Sequence, residues 1–233
     1  MNIIRKRDHA STHAEAGARL ASRRAARKVR RTIAFEHLER RLALATIQWD
    51  GGAGADNPYW DLAANWEGDR VPGGNDDASI LAPGTNVTLR SGNVTVKSLT
   101  STAGISLTSG SLNVTQGASL LSGSLFVAPG TYLNASGGSL TATGPTVADS
   151  ASFYASGGGV LSLPALVSYS AAGGGYNPVI QANDAGSRIN LAAVERLWGR
   201  TDSGQLAIRA YNGARVDLSG VTNYEGGAVN VLA

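Results

Sequence analysis

Residues 107–147 read LTSGSLNVTQGASLLSGSLFVAPGTYLNASGGSLTATGPTV. Apolar residues recur at Leu107, Val114, Leu120, Val127, Leu133, Leu140 and Val147, in steps of six or seven. Gly110, Gly117, Gly123, Gly130, Gly137 and Gly144 follow in register, each three or four positions later. Three such steps make a unit of about 20 residues, and internal repetition of that size is the signature of a stacked architecture. One strand and one turn per step, three per coil, supply an inward side chain on each wall and a corner that tolerates unusual backbone angles.

Downstream the unit lengthens. Gly158–Tyr169, Gly186–Leu197 and Gly213–Tyr224 align at shifts of 28 and 27, and Val179–Asn183 aligns with Ala207–Tyr211 at 28. Alternation in Arg188-Ile189-Asn190-Leu191 and Arg215-Val216-Asp217-Leu218 is period two, which predicts strands with one buried face. Leu163, Leu191 and Leu218 then form one inward column of the solenoid. A left-handed β-helix would show stricter hexapeptides, so coil lengths drifting from about 20 to 28 favour an all-β, right-handed parallel β-helix with variable corners. A β-sandwich also shows short alternating strands, but glycine corners at near-constant spacing argue against it. The solenoid repeats span 82–233 and read as continuing beyond the chain end, because the last layer of a solenoid needs a cover.

Composition agrees with many strands and turns: 30 Gly among 233 residues, and only 16% charged. Charge is split unevenly. Residues 1–45 hold twelve Lys and Arg against four Asp and Glu, a net +8, which leaves eight basic and thirteen acidic residues in the body, a net −5. The pI near 9.4 therefore describes neither part. Cysteine is absent, and His9, His13 and His37 all lie in the leader. No stretch approaches the ~18 apolar residues of a transmembrane helix.

The leader, 1–45, contains a Pro- and Gly-free basic stretch at Ser22–Arg41 that suits a helix or a disordered tail. It lacks the apolar run of roughly 7–15 residues that a secretory signal needs. Arg23-Arg24 and Arg30-Arg31 are likewise not followed by the apolar stretch of a twin-arginine signal. Ala43-Leu44-Ala45 reads as a small-residue cleavage site. The segment Phe35-Glu36-His37-Leu38-Glu39-Arg40-Arg41-Leu42-Ala43-Leu44-Ala45 resembles the FE-x-LE-x-R-x-L-x-A leader of planctomycete-type exported surface proteins. That resemblance implies export and a mature chain beginning near Thr46.

Residues 46–81 form an aromatic N-terminal segment carrying Trp49, Trp60 and Trp66. Trp49-Asp50-Gly51-Gly52, then Trp60 with Asn65-Trp66, then Pro72, Asp76 or Asp77, Ala78 and Ile80 resemble the opening of bacterial surface and autotransporter-like solenoids. The resemblance implies a first rung, with the three tryptophans as a structural cap. Two other readings stay open: Tyr59, Trp60 and Trp66 stacking on sugar rings, and Asn75, Asp76 and Asp77 as weak calcium candidates. The calcium signal is weak because the EF-hand spacing is missing.

For chemistry, the body offers neither imidazole nor thiolate, which excludes a Ser-His-Asp mechanism and His- or Cys-ligated zinc. Carboxylate chemistry of the kind used by β-helix polysaccharide lyases and glycosidases would fall to Asp184 with Asp217, or to Glu195 with Arg188 and Arg215. Arg188 and Arg215 occupy equivalent repeat positions, as do Asn190 and Asp217, so corner or ladder roles describe them more economically. Arginines in the leader without interleaved aromatics support only non-specific attraction to nucleic acid. Asn-x-Ser/Thr triplets at Asn86, Asn93, Asn113 and Asn134 fall within the repeat and read as strand composition. The expectation is an extracellular or cell-surface structural or adhesive module without catalytic residues or cofactor. Its partners would be cell-envelope components or extracellular polysaccharide, and a polysaccharide-active or polysaccharide-binding β-helix is the alternative.

Overall fold

Strand β1 (Thr46–Gln48) is followed by a long excursion containing one 3-10 turn, Ala63–Asn65, and then by strands arriving three to a coil. The first coil is β2 (Asp77–Ile80), β3 (Asn86–Leu89) and β4 (Asn93–Val96). The second is β5 (Ser98–Ser101), β6 (Gly104–Leu107) and β7 (Ser111–Val114), and the third β8 (Ala118–Leu121), β9 (Leu125–Val127) and β10 (Tyr132–Ser136). The fourth comprises β11 (Ser139–Ala142), β12 (Thr146–Val147) and β13 (Ser152–Ser156), and the fifth β14 (Val160–Ser162), β15 (Ser168–Ser170) and β16 (Val179–Asn183). The sixth has β17 (Arg188–Asn190), β18 (Arg196–Trp198) and β19 (Leu206–Tyr211), and the seventh β20 (Arg215–Asp217), β21 (Asn223–Glu225) and β22 (Val229–Leu232). The computed structural model describes residues 46–172, 175–200, 202, 204–227 and 229–232, all in one compact unit. The leader lies outside the described residues, so the readings placed on 1–45 do too.

Stacking is parallel throughout the ladders. One face is an eight-stranded sheet, β1-β2-β5-β8-β11-β14-β17-β20, and another a seven-stranded sheet, β4-β7-β10-β13-β16-β19-β22. The remaining wall comprises a four-stranded sheet, β3-β6-β9-β12, and a three-stranded one, β15-β18-β21. This is a three-walled parallel β-solenoid. Tyr132 faces Ser152 and Ser139 faces Val160, shifts of 20 and 21, whereas Val160 faces Arg188 and Arg188 faces Arg215, shifts of 28 and 27. The third wall changes sheet where the coil lengthens, because the extra residues enter between β14 and β16.

Inside, each wall contributes columns of like residues. On the seven-stranded sheet Leu112, Leu133, Phe153, Ile180 and Ile208 stack in register, all within 5% exposure, and two positions on run Val114, Ala135, Ala155 and Ala182. Small residues there leave room for the Phe153 ring, which meets Tyr169 at 5.8 Å. Tyr169 is itself fully buried and donates its hydroxyl to the Ala151 carbonyl at 2.7 Å, and burial pushes its phenol well above the ordinary range. Leu163 and Leu191 are fully buried and Leu218 is partly buried against the same core. Each follows directly on a paired strand, and the Leu163 and Leu191 amides donate to the Asn190 and Asp217 carbonyls of the next coil.

Two of the seven apolar positions expected to point inward do not. Leu120 is 46% and Val147 54% exposed, while Leu121, Thr146 and Ala148 face in. In β8 the inward pair is Ser119 and Leu121, and the Ser119 hydroxyl accepts the Leu99 N–H at 2.9 Å. A serine is tolerated inside because its oxygen satisfies a backbone donor that would otherwise be buried alone.

The corner glycines divide into two kinds. At Gly110 φ is +75° and an added Cβ would lie 1.6 Å from the Gly92 carbonyl oxygen, so both conformation and space demand glycine. Gly123 and Gly144 have ordinary φ but lie on the backbone beneath, where a Cβ would come within 2.1 Å of Ala103 O and 2.0 Å of Gly123 O. A further corner turns through the left-handed region at Gly137, Gly157, Asp184 and Asn212, with φ of 91°, 57°, 76° and 57°. Besides glycine, Asn and Asp are the residues that best accept that conformation.

Candidate functional site

Residues 49–76 occupy the β1 end of the solenoid. Trp66 is fully buried, Trp60 is 2% exposed and Trp49 is partly buried, all in the same apolar cluster as the coils. Trp66 meets Trp60 at 4.6 Å and Trp49 at 5.1 Å, both edge to face, and donates its indole N–H to the Trp60 carbonyl at 2.8 Å. Trp60 N donates to Thr88 O and Thr88 N to Pro58 O, so residues 58–60 pair with the edge of β3. Asn65, fully buried, donates to the Asn57 and Tyr59 carbonyls and accepts from Ala53 N, while its own carbonyl receives the Asp50 and Gly51 amides. Gly51 adopts φ +69°, and a Cβ on Gly52 would lie 2.3 Å from Ala64 O.

Trp60 and Trp66 are covered by their packing and present no ring face to a sugar. The Arg90 guanidinium lies 3.7 Å above the Tyr59 ring while binding Asp61 at 3.1 Å. A groove of about 580 Å³ beside Trp49, bordered by Asp50, Pro58, Asn86 and Thr88, carries no convergent charged or nucleophilic set.

The carboxylates named as calcium candidates are held by cations. Asp76, 9% exposed, receives a bidentate Arg70 guanidinium at 2.7 and 2.9 Å and the Gly73 N–H at 2.8 Å. Arg70, and then Gly73, hold its carboxyl below the ordinary range against partial burial. Asp77 receives Lys97 Nζ at 2.8 Å and the Ser98 hydroxyl at 2.5 Å, which lower it in the same way. Asn75 precedes this pair in a turn. Among the described residues no group of three or more His, Cys, Asp or Glu side chains is placed to hold a metal ion.

Of the residues weighed for catalysis, Asp217, Arg188 and Arg215 are joined by ion pairs, whereas Glu195 is exposed and has no side-chain bond to them. Asp217 accepts Arg188 Nη2 at 2.9 Å from the coil below and Arg215 Nη2 at 2.8 Å from its own strand. The Ser219 hydroxyl and N–H, with the two guanidiniums, keep its carboxyl depressed. Asp184 instead accepts the Gly157 amide at 3.1 Å across a corner. A carboxylate ion-paired twice stays ionised and is a poor general acid.

Sequence reasoning passed over the outer face of the seven-stranded sheet. Asn113, Asn134, Tyr154, Gln181 and Arg209 stand there in one register column, each half-buried, with Tyr132 beside them and 41% exposed. The Tyr132 and Tyr154 rings lie 6.0 Å apart at 37°, and burial raises the Tyr154 phenol above its ordinary value. Period-two alternation in these strands was the available signal, since every second residue must point outward.

Comparison of the chain with protein-family models, with curated proteins and with solved structures gives no match. Among the described residues no helix is long and apolar enough to cross a membrane.

Proposed function

We propose that this protein is a non-catalytic structural or adhesive module of the cell surface, built on the parallel solenoid and exported with the help of its basic leader. The observation that carries the reading is that both candidate calcium carboxylates, Asp76 and Asp77, and the candidate catalytic Asp217 are held in ion pairs. Asp61, Asp76, Asp77 and Asp217 are each paired with Arg or Lys, three of these pairs joining residues 20 or more apart in sequence. Charges spent on holding neighbouring segments together are not poised for proton transfer, whereas catalytic carboxylates need environments that push their pKa values apart. Export and surface location rest on the leader's resemblance and on the cleavage-like Ala43-Leu44-Ala45.

The test is the native protein's location and N-terminus. Protease shaving and antibody labelling of intact cells should find the body outside, with a mature chain starting close to Thr46. Recovery of an intact cytoplasmic chain bound to nucleic acid would sink the reading. Measurable cleavage of a polysaccharide, lost on Asp217→Asn, would instead favour the enzymatic alternative.

A further inference from the structure

The outer face of the seven-stranded sheet differs chemically from the rest of the body. None of its strands contains Asp or Glu, although residues 46–233 carry thirteen acidic side chains against eight basic ones. What it offers is a column of amides and a tyrosine leading to one guanidinium, Arg209, whose Nε is buried without a hydrogen-bond partner among the described residues, with Leu232 in register beyond it. Alongside, Tyr176 is 48% exposed and its ring lies over Gly130, where an added Cβ would approach to 2.4 Å. Tyr132 and Tyr154 belong to adjacent coils, so their rings step along the solenoid axis.

These features select among ligands. Nucleic acid needs several phosphate-neutralising cations, and a single Arg does not supply them. An added peptide strand needs a free edge, but β7, β10, β13, β16 and β19 are each paired on both sides. A lipid surface needs a continuous apolar area, which the amides interrupt. A pyranose chain presents apolar C–H faces to aromatic rings and hydroxyls to groups that both donate and accept, as Asn and Gln amides do. The Tyr132–Tyr154 spacing of 6.0 Å is comparable to the advance of one sugar unit along such a chain.

We propose that this face binds a linear, hydroxyl-rich pyranose polysaccharide lying along the solenoid axis. In that complex Tyr132 and Tyr154 stack on ring faces while Asn134, Gln181 and Arg209 bond hydroxyls. The proposal deepens the surface-module reading and rests on it, since an exported module meets polysaccharide where a cytoplasmic one does not. Its test is independent of cell location: co-sedimentation of the purified full chain with insoluble cellulose, chitin and β-1,3-glucan at high salt, which screens the leader's charge. The full chain should be retained on at least one polymer. The double variant Y132A/Y154A should lose about tenfold in affinity, roughly 1.4 kcal/mol, while still showing a cooperative thermal transition. N134A/Q181A should weaken retention in the same direction and serves if the tyrosine variant does not fold. Y224A, which truncates a tyrosine 50% exposed on another sheet, should bind as the unaltered chain does. No retention on any of the three polymers, retention abolished by salt, or retention that both double variants leave intact would overturn the proposal.

Discussion

Trp66 combines full burial, two edge-to-face ring contacts and a donated indole N–H, so truncating it removes apolar area and strands the Trp60 carbonyl. Trp66→Ala should lower stability by about 3–5 kcal/mol in chemical denaturation, the usual cost of deleting a buried aromatic. A change within about 0.5 kcal/mol would mean that the segment does not depend on the ring. Glycines offer a second contrast at this scale. Gly84 and Gly110 both have positive φ, but a Cβ at Gly84 meets open space while one at Gly110 collides with the Gly92 backbone. Gly84→Ala should therefore cost about 1–2 kcal/mol from conformation alone. Gly110→Ala should cost clearly more, and equal midpoints for the two variants would refute the close approach. Residue types at Trp49-Asp50-Gly51-Gly52 and Asn65-Trp66 marked the segment as ordered. The resemblance implied a cap of Trp49, Trp60 and Trp66, and Trp60 and Trp66 are buried, whereas spacing alone left sugar stacking open, because a tryptophan can seal a core or wait for a ligand with the same spacing.

In β8 the period of the repeat and its phase come apart. Spacing alone located the strand but chose Leu120 as inward, since two leucines stand side by side and a one-residue slip exchanges the faces of the whole strand. Hydrogen bonding settles the phase, with the Ser119 oxygen taking the Leu99 amide and Leu121 following it into the core. Leu121→Ala should consequently destabilise by about 2–5 kcal/mol, and Leu120→Ala by less than about 0.5 kcal/mol, in matched urea titrations. The reverse order would restore the phase read from the sequence. Where single apolar residues alternate with polar ones, as in Val179–Asn183 and Ala207–Tyr211, no such ambiguity arises, and the shift of 28 read from sequence is the register of the ladder. The outer tyrosine and amide column was missed for a related reason. Recurring apolar residues mark the inward half of each strand, and this column lies on the outward half.

Across the whole molecule, ion pairs tie neighbouring parts together near both ends: Arg70 to Asp76 within the opening segment, Lys97 to Asp77 between the first two coils, Arg188 to Asp217 between the last two. The Asp76, Asp77 and Asp217 carboxyls are all held below their ordinary value, by Arg70, by Lys97, and by Ser219 with two arginines respectively. The sign of the pH dependence follows. With the folded pKa values depressed, the unfolded chain takes up protons first as pH falls, so stability is complete above the ordinary carboxylate value of about 3.9 and is lost below it, through the folded values. Residues 46–233 contain no histidine, the side chain whose ordinary value lies between about pH 5 and 8. The thermal midpoint should therefore be flat from neutrality down to about pH 5 and fall steeply under about pH 4. In D76N/D77N the neutral-pH midpoint should drop and the acid limb should flatten, because the groups whose protonation is penalised are gone. High salt should change the pairs with an exposed arginine, such as Arg70–Asp76, more than Lys97–Asp77, whose side chains are 19% and 27% exposed. A midpoint of the unaltered chain that stays constant down to about pH 2 would show that these carboxylates contribute nothing to the fold, and stacking of the apolar columns would then have to supply all of its stability.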